Sequence, residues 1–116
     1  MNKELQSLKI PTGCKINKNE FTTYNPEIEY TEEKNLFYLW EDLLQIEFEH
    51  SHLIIDLGWY GEISSNDGEF RILVVENENW EEPLKLVNSK SQKIITSELD
   101  KILMEIKNTG KVKASA

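Results

Sequence analysis

The sequence predicts an α+β domain: an antiparallel β-meander sheet with a C-terminal amphipathic helix packed on one face. Three observations carry this. Residues 44–60 alternate with a period of two on either side of a short polar turn, as a hairpin does. Glu69–Glu76 repeats that pattern with Phe70, Ile72 and Val74 on one side and Leu73 and Val75 on the other. From Gln92 the period changes to three and four, as on one stripe of a helix. At 116 residues the chain is read as one domain, 1–116, with 1–9 and 111–116 as loose ends.

Taken in order, 1–9 offers a short amphipathic turn through Leu5 and Leu8, or frays. Ile10-Pro-Thr-Gly13 is a turn signal. Cys14–Asn17 reads as a short strand that turns at Lys18-Asn19. Glu20–Tyr24, rich in β formers, is expected to pair back on it. Glu27–Lys34 is an acidic connection, partly extended. Leu36–Trp40 fits either a strand leading into the hairpin or a helical turn continuing to Leu44; its aromatics favour strand.

In the hairpin, Leu44, Ile46 and Phe48 alternate with Gln45, Glu47 and Glu49. Leu53, Ile55, Leu57 and Trp59 share the apolar face of the second strand, and Ile54, Asp56, Gly58 and Tyr60 take the other. A strand this apolar on both sides belongs at the sheet centre. Gly61–Gly68 contains a turn-forming Ser-Ser-Asn-Asp-Gly cluster. Asn77–Pro83 is a polar loop carrying Trp80, and Leu84–Val87 a last short strand. Ser89 or Ser91 can cap the helix. Its stripe is Ile95, Leu99, Ile102, Leu103 and Ile106, with Lys107 suited to the C-terminal dipole and Gly110 as the stop.

Net charge is −8, unevenly spread: Asn19–Pro83 holds 17 acidic residues against two basic ones, Lys34 and Arg71, while the flanks are basic. Acidic surfaces repel nucleic-acid backbone and steer basic partners; an acidic face that serves only solubility gives the same composition. No apolar run approaches the roughly 18 residues of a transmembrane helix, and the first ten residues carry no long apolar signal core. No membrane association is expected, and the expected location is the cytoplasm. Cys14, the single cysteine, excludes an internal disulfide.

Candidate chemistry is sparse. His50 and His52 lie two apart, but at a turn and without a sequence-defined third ligand, so no metal is expected. Asp56 followed by Glu69-Phe-Arg71 has the spacing of a metal-dependent nuclease or hydrolase. Arginine stands where lysine is usual, however, and the sheet has little positive charge to hold a polyanion. No phosphate loop, nucleophile elbow or Cys–His pair with an orienting third group is present. No catalytic residue and no cofactor are expected. Trp59 is assigned to the core. Tyr60 and Trp80, beside Glu62, Glu78, Glu81 and Glu82, have the composition of a binding hot spot for a basic partner. With Glu47, Glu49 and Asp56 from the hairpin they form the expected partner-binding set.

The segments Asp42-Leu-Leu-Gln-Ile-Glu47, Leu53-Ile-Ile-Asp-Leu-Gly-Trp-Tyr-Gly-Glu62, Phe70-Arg-Ile-Leu-Val74 and Asn79-Trp-Glu-Glu-Pro-Leu84 resemble small immunity proteins of bacterial polymorphic toxin and contact-dependent growth inhibition systems. The resemblance spans about residues 41–106. It implies a cytoplasmic antidote that binds a cognate toxin C-terminal domain, often a basic nuclease, and blocks it without catalysis. Two alternatives remain: a small metal-dependent nuclease or hydrolase using Asp56, Glu69 and Arg71, and a generic acidic adaptor for some other basic partner.

Overall fold

The computed structural model describes residues 3–61 and 67–113. Five antiparallel strands form one sheet in sequence order: β1 (Lys15–Asn19), β2 (Leu44–Phe48), β3 (Leu53–Tyr60), β4 (Glu69–Glu76) and β5 (Lys85–Ser89). Two short helices, α1 (Pro26–Glu29) and α2 (Glu32–Tyr38), fill the β1–β2 connection, and α3 (Gln92–Thr109) follows β5. The expected meander with its C-terminal helix is therefore present, and β3 is central.

The helix α3 begins at Ser91, whose side chain accepts from the Ile94 amide, and stops at Gly110 in the left-handed region. Its expected stripe, Ile95, Leu99, Ile102, Leu103 and Ile106, is buried. It packs with the sheet face built from Leu44, Ile46, Ile55, Leu57, Ile72 and Val74 in one core. Phe70 continues that face, with Phe21 and Trp59 edge-on to it at 5.8 and 5.0 Å. Gln92 is buried at the start of α3, where its amide donates to the Gln6 side chain and to the Thr22 carbonyl, at 2.8 and 2.9 Å.

The N-terminal third differs from expectation. Glu20–Tyr24 does not pair back on β1. The strand β1 pairs instead with β2, Ile16 opposite Ile46 and Asn19 opposite Leu44, with a bulge between Ile16 and Lys18. Burial of Phe21 and Tyr24 turns the 20–24 segment into the core, and it takes the N-terminal segment as its neighbour: Gln6 donates to Phe21 and Thr23 to Glu4. Residues 3–9, expected to turn or fray, are thus tied down.

The strand reading of Leu36–Trp40 and the extended reading of Glu27–Lys34 give way to α1 and α2. The cause lies in the caps. Asn25 accepts from Glu27 with Pro26 at the first helical position, and Thr31 accepts from Lys34. Acidic residues occupy both first turns, where the helix dipole favours them. At the other end of the chain, Val112 packs against the core and the Lys113 amide donates to Glu105.

Candidate functional site

One face of the sheet is covered by α3; among the described residues no helix covers the other. Strand register fixes what the uncovered face shows, since paired residues point the same way. Lys15, Glu47, Ile54 and Val75 form one row. Gln45, Asp56, Leu73 and Leu86 form the next. Gly58, Arg71 and Asn88 follow, then Tyr60 and Glu69. Apolar groups occupy the middle of this face: Ile54 and Val75 are buried, Leu73 is half-buried and Leu86 is 46% exposed.

At the end where β2 turns into β3, the face deepens into an open cavity of about 480 Å³ lined by Glu47, Phe48, Glu49, His52, Ile54, Asn77 and Glu78. Three of its residues hold positive φ without being glycine: His52 (58°), Asn77 (53°) and Glu78 (58°). Asn77 and Glu78 are the centre of a turn closed by the Asn79 amide donating to the Glu76 carbonyl. This geometry favours glycine at its second central position, where the chain carries glutamate. Trp80, Glu81 and Glu82 follow directly and are exposed, Trp80 by 44%.

The nine expected binding residues therefore separate. Glu47, Glu49 and Glu78 meet in the cavity, and Trp80, Glu81 and Glu82 lie farther along the loop that carries Glu78. Asp56 and Tyr60 are on the same face but farther along β3. Glu62 lies outside the described residues.

Asp56 is half-buried and accepts from the Gln45 amide at 3.3 Å. Burial pushes its carboxyl pKa above the ordinary 3.8; Gln45 works against this and the nearby Asp42 charge adds to it. Tyr60 lies under the Arg71 guanidinium, 4.5 Å from the ring centroid, while the Arg71 Nε donates to Asn88. Burial, then the Asp56 charge, raises the Tyr60 pKa, and Arg71 opposes the rise.

Asp56 and Glu69 are not a metal pair. Asp56 stands opposite Leu73, four residues from Glu69 along β4, a separation of roughly 13 Å. His50 and His52 fall in the β2–β3 turn, and only His52 lines the cavity. Among the described residues no group of three metal-ligating side chains is gathered.

The opposite end of the sheet holds residues that the strand reading had hidden. Trp40 is 41% exposed beside Leu36, whose carbonyl accepts from its indole. Lys3 and Lys18 lie over its ring at 4.4 and 5.7 Å. The same lysines pair with carboxylates, Lys3 with Glu20 and Lys18 with Glu20 and Asp42. No corresponding ion pair among the described residues reaches Glu47, Glu49, Asp56, Glu78, Glu81 or Glu82. Sequence spacing gave no sign of this difference, because Lys18 and Asp42 are 24 residues apart.

The chain matches no family model, and no curated protein or solved structure is significantly similar to it. No helix among the described residues is long and apolar enough to cross a membrane.

Proposed function

We propose that this protein is a cytoplasmic immunity protein: it binds a basic toxin domain, a nuclease in the first instance, and blocks its activity by occupation rather than by catalysis. One observation carries this reading. Among the described residues no ion pair reaches the carboxylates at the cavity end of the sheet, Glu47 being met by Lys15 only across the strand register, while Trp80 of the adjoining loop is exposed; carboxylates at the other end are paired with Lys3 and Lys18. A nuclease groove is basic because it holds phosphates, and an acidic protein seated there competes with the nucleic acid for the same charges. The long-range field of a chain with net charge −8 speeds that encounter. The resemblance of segments 42–47, 53–62, 70–74 and 79–84 to immunity proteins points the same way.

The test is co-expression with the toxin C-terminal domain encoded beside this gene. The expected result is rescue of growth, co-purification of the pair, and an association rate that falls as salt rises, because exposed charges are screened beyond about 8 Å at physiological ionic strength. A neighbouring toxin that neither binds nor is neutralised, or the lack of any such gene, overturns the proposal.

A further inference from the structure

Which surface meets the partner, and what the partner brings to it, can be argued from the two sides of the sheet. The α3 side is filled. Among the described residues no helix lies over the other side, whose middle rows hold Ile54, Val75 and Leu73, and whose cavity end carries Glu47, Glu49 and Glu78. Two further facts define the chemistry that fits. The cavity is lined by apolar Phe48 and Ile54 as well as by Glu47, Glu49 and Glu78. That combination suits a long basic side chain, whose methylene stem packs on carbon while its charged head reaches the carboxylates. The chain also shows the same chemistry satisfied internally: at Trp40, Lys3 and Lys18 lie over the indole and pair with Glu20 and Asp42. Among the described residues no lysine lies over Trp80 and no ion pair reaches Glu78, Glu81 or Glu82.

Resting on the reading above, we infer that the uncovered face at its cavity end is the docking surface and that it takes a basic loop of the partner protein. One lysine or arginine sits among Glu47, Glu49 and Glu78, with its methylene stem against Phe48 and Ile54. An incoming cation also offsets the unpaired, half-buried charge of Asp56 in the adjacent row. The acidic helices α1 and α2 are the competing surface. Their Glu27, Glu29, Glu32 and Glu33 are all exposed, and the cavity that Glu29 and Tyr38 line there, about 120 Å³, is smaller than the 480 Å³ at Glu47, Glu49 and Glu78.

The experiment measures binding kinetics of the purified neighbour-encoded toxin domain to three proteins of verified fold: the wild type, Glu49→Lys with Glu78→Lys, and Glu32→Lys with Glu33→Lys. The cavity variant is expected to weaken binding about 30-fold or more, and the α2 variant to stay within about threefold. If the cavity variant does not fold, Glu78→Gln alone replaces it, and its loss should exceed that of Glu33→Gln. Equal losses in both variants, or a larger loss at α2, overturn the docking surface and leave the immunity reading standing. A wild type that does not bind overturns the immunity reading and the docking surface with it. Sedimentation of the protein alone is expected to give a monomer. Self-association abolished by Glu49→Lys with Glu78→Lys would make the occupant a second copy, through α3 lysines such as Lys93 and Lys101, and would overturn the basic-partner assignment.

Discussion

Trp40 and Trp80 are almost equally exposed, at 41% and 44%, and stand at opposite ends of the sheet. Their surroundings differ in kind. Around Trp40 the chain closes its own electrostatics. Lysines cover the ring and neutralise the carboxylates, and the backbone is drawn in so tightly that a Cβ on Gly58 would fall 1.9 Å from the Glu41 carbonyl oxygen. Around Trp80, among the described residues, no cation lies over the ring and no ion pair reaches Glu78, Glu81 or Glu82, and the backbone carries a glutamate in a conformation suited to glycine. Exposure of an aromatic therefore says little by itself about a site. What separates a finished surface from a receptive one is whether the countercharge is already present.

The largest effects should come from breaking the closed parts. Leu99→Ala in α3 should lose about 2–5 kcal/mol of stability by denaturant unfolding, because Leu99 is fully buried against the sheet. Gly58→Ala should cost about 1–3 kcal/mol or more, since relieving its clash means disturbing the bond from the Trp59 amide to the Trp40 carbonyl. Tolerance of Gly58→Ala would mean that this end is looser than its geometry implies.

The comparison itself is tested by the two tryptophans. Trp40→Ala should lose about 1 kcal/mol, the scale of its cation–π contacts. Trp80→Ala should change stability by no more than about 0.5 kcal/mol and act on partner dissociation instead. Equal destabilisation in the two variants would make Trp80 a structural residue and remove the contrast. Glu78→Gly should stabilise the fold by about 1 kcal/mol, by relieving a left-handed backbone at a residue with a Cβ, while weakening binding. A destabilised Glu78→Gly would show that the turn depends on this side chain.

The smallest effect concerns Asp56 and sharpens the contrast through pH. Its folded pKa lies above 3.8 because burial disfavours the charged form. The fold therefore binds a proton that the unfolded chain releases. This contribution is fully present below the unfolded value and is lost as pH rises through the folded one. Asp56→Asn, which has no charge to bury, should gain stability over the wild type as pH rises above about 4. Unfolding curves at pH 3 and pH 7 measure the gain, and a difference independent of pH would remove burial of the charge as its cause.

The hairpin, β4 and α3 were legible because each element shows its period within a few residues, and one face of each is buried. The stretch 20–40 was not. Its aromatics at Phe37, Tyr38 and Trp40 argue for strand, and the caps at Asn25 and Thr31 that override them act through single hydrogen bonds. The pairing of β1 with β2 was hidden for another reason: Ile16 and Ile46 meet across a connection that contains two helices. At the site, the residue types could be read from sequence but their electrical state could not. Glu49 and Asp42 look alike in a sequence, and only the fold brings Lys18 to Asp42 and, among the described residues, no ion pair to Glu49.

Helix α3 comes after all five strands in the chain. On a ribosome, the strands can therefore pair before the element that shields their apolar side has been made. Until residues 92–109 emerge, Ile46, Ile55, Ile72 and their neighbours form a bare oily sheet with β5 as an unprotected margin, the kind of species that chaperones hold and that aggregates when they do not. A stop codon placed before Gln92 should therefore yield an aggregate that titrates out holdase capacity. Production of this protein in a cell should be more sensitive to translation pauses late in the message than to pauses early in it.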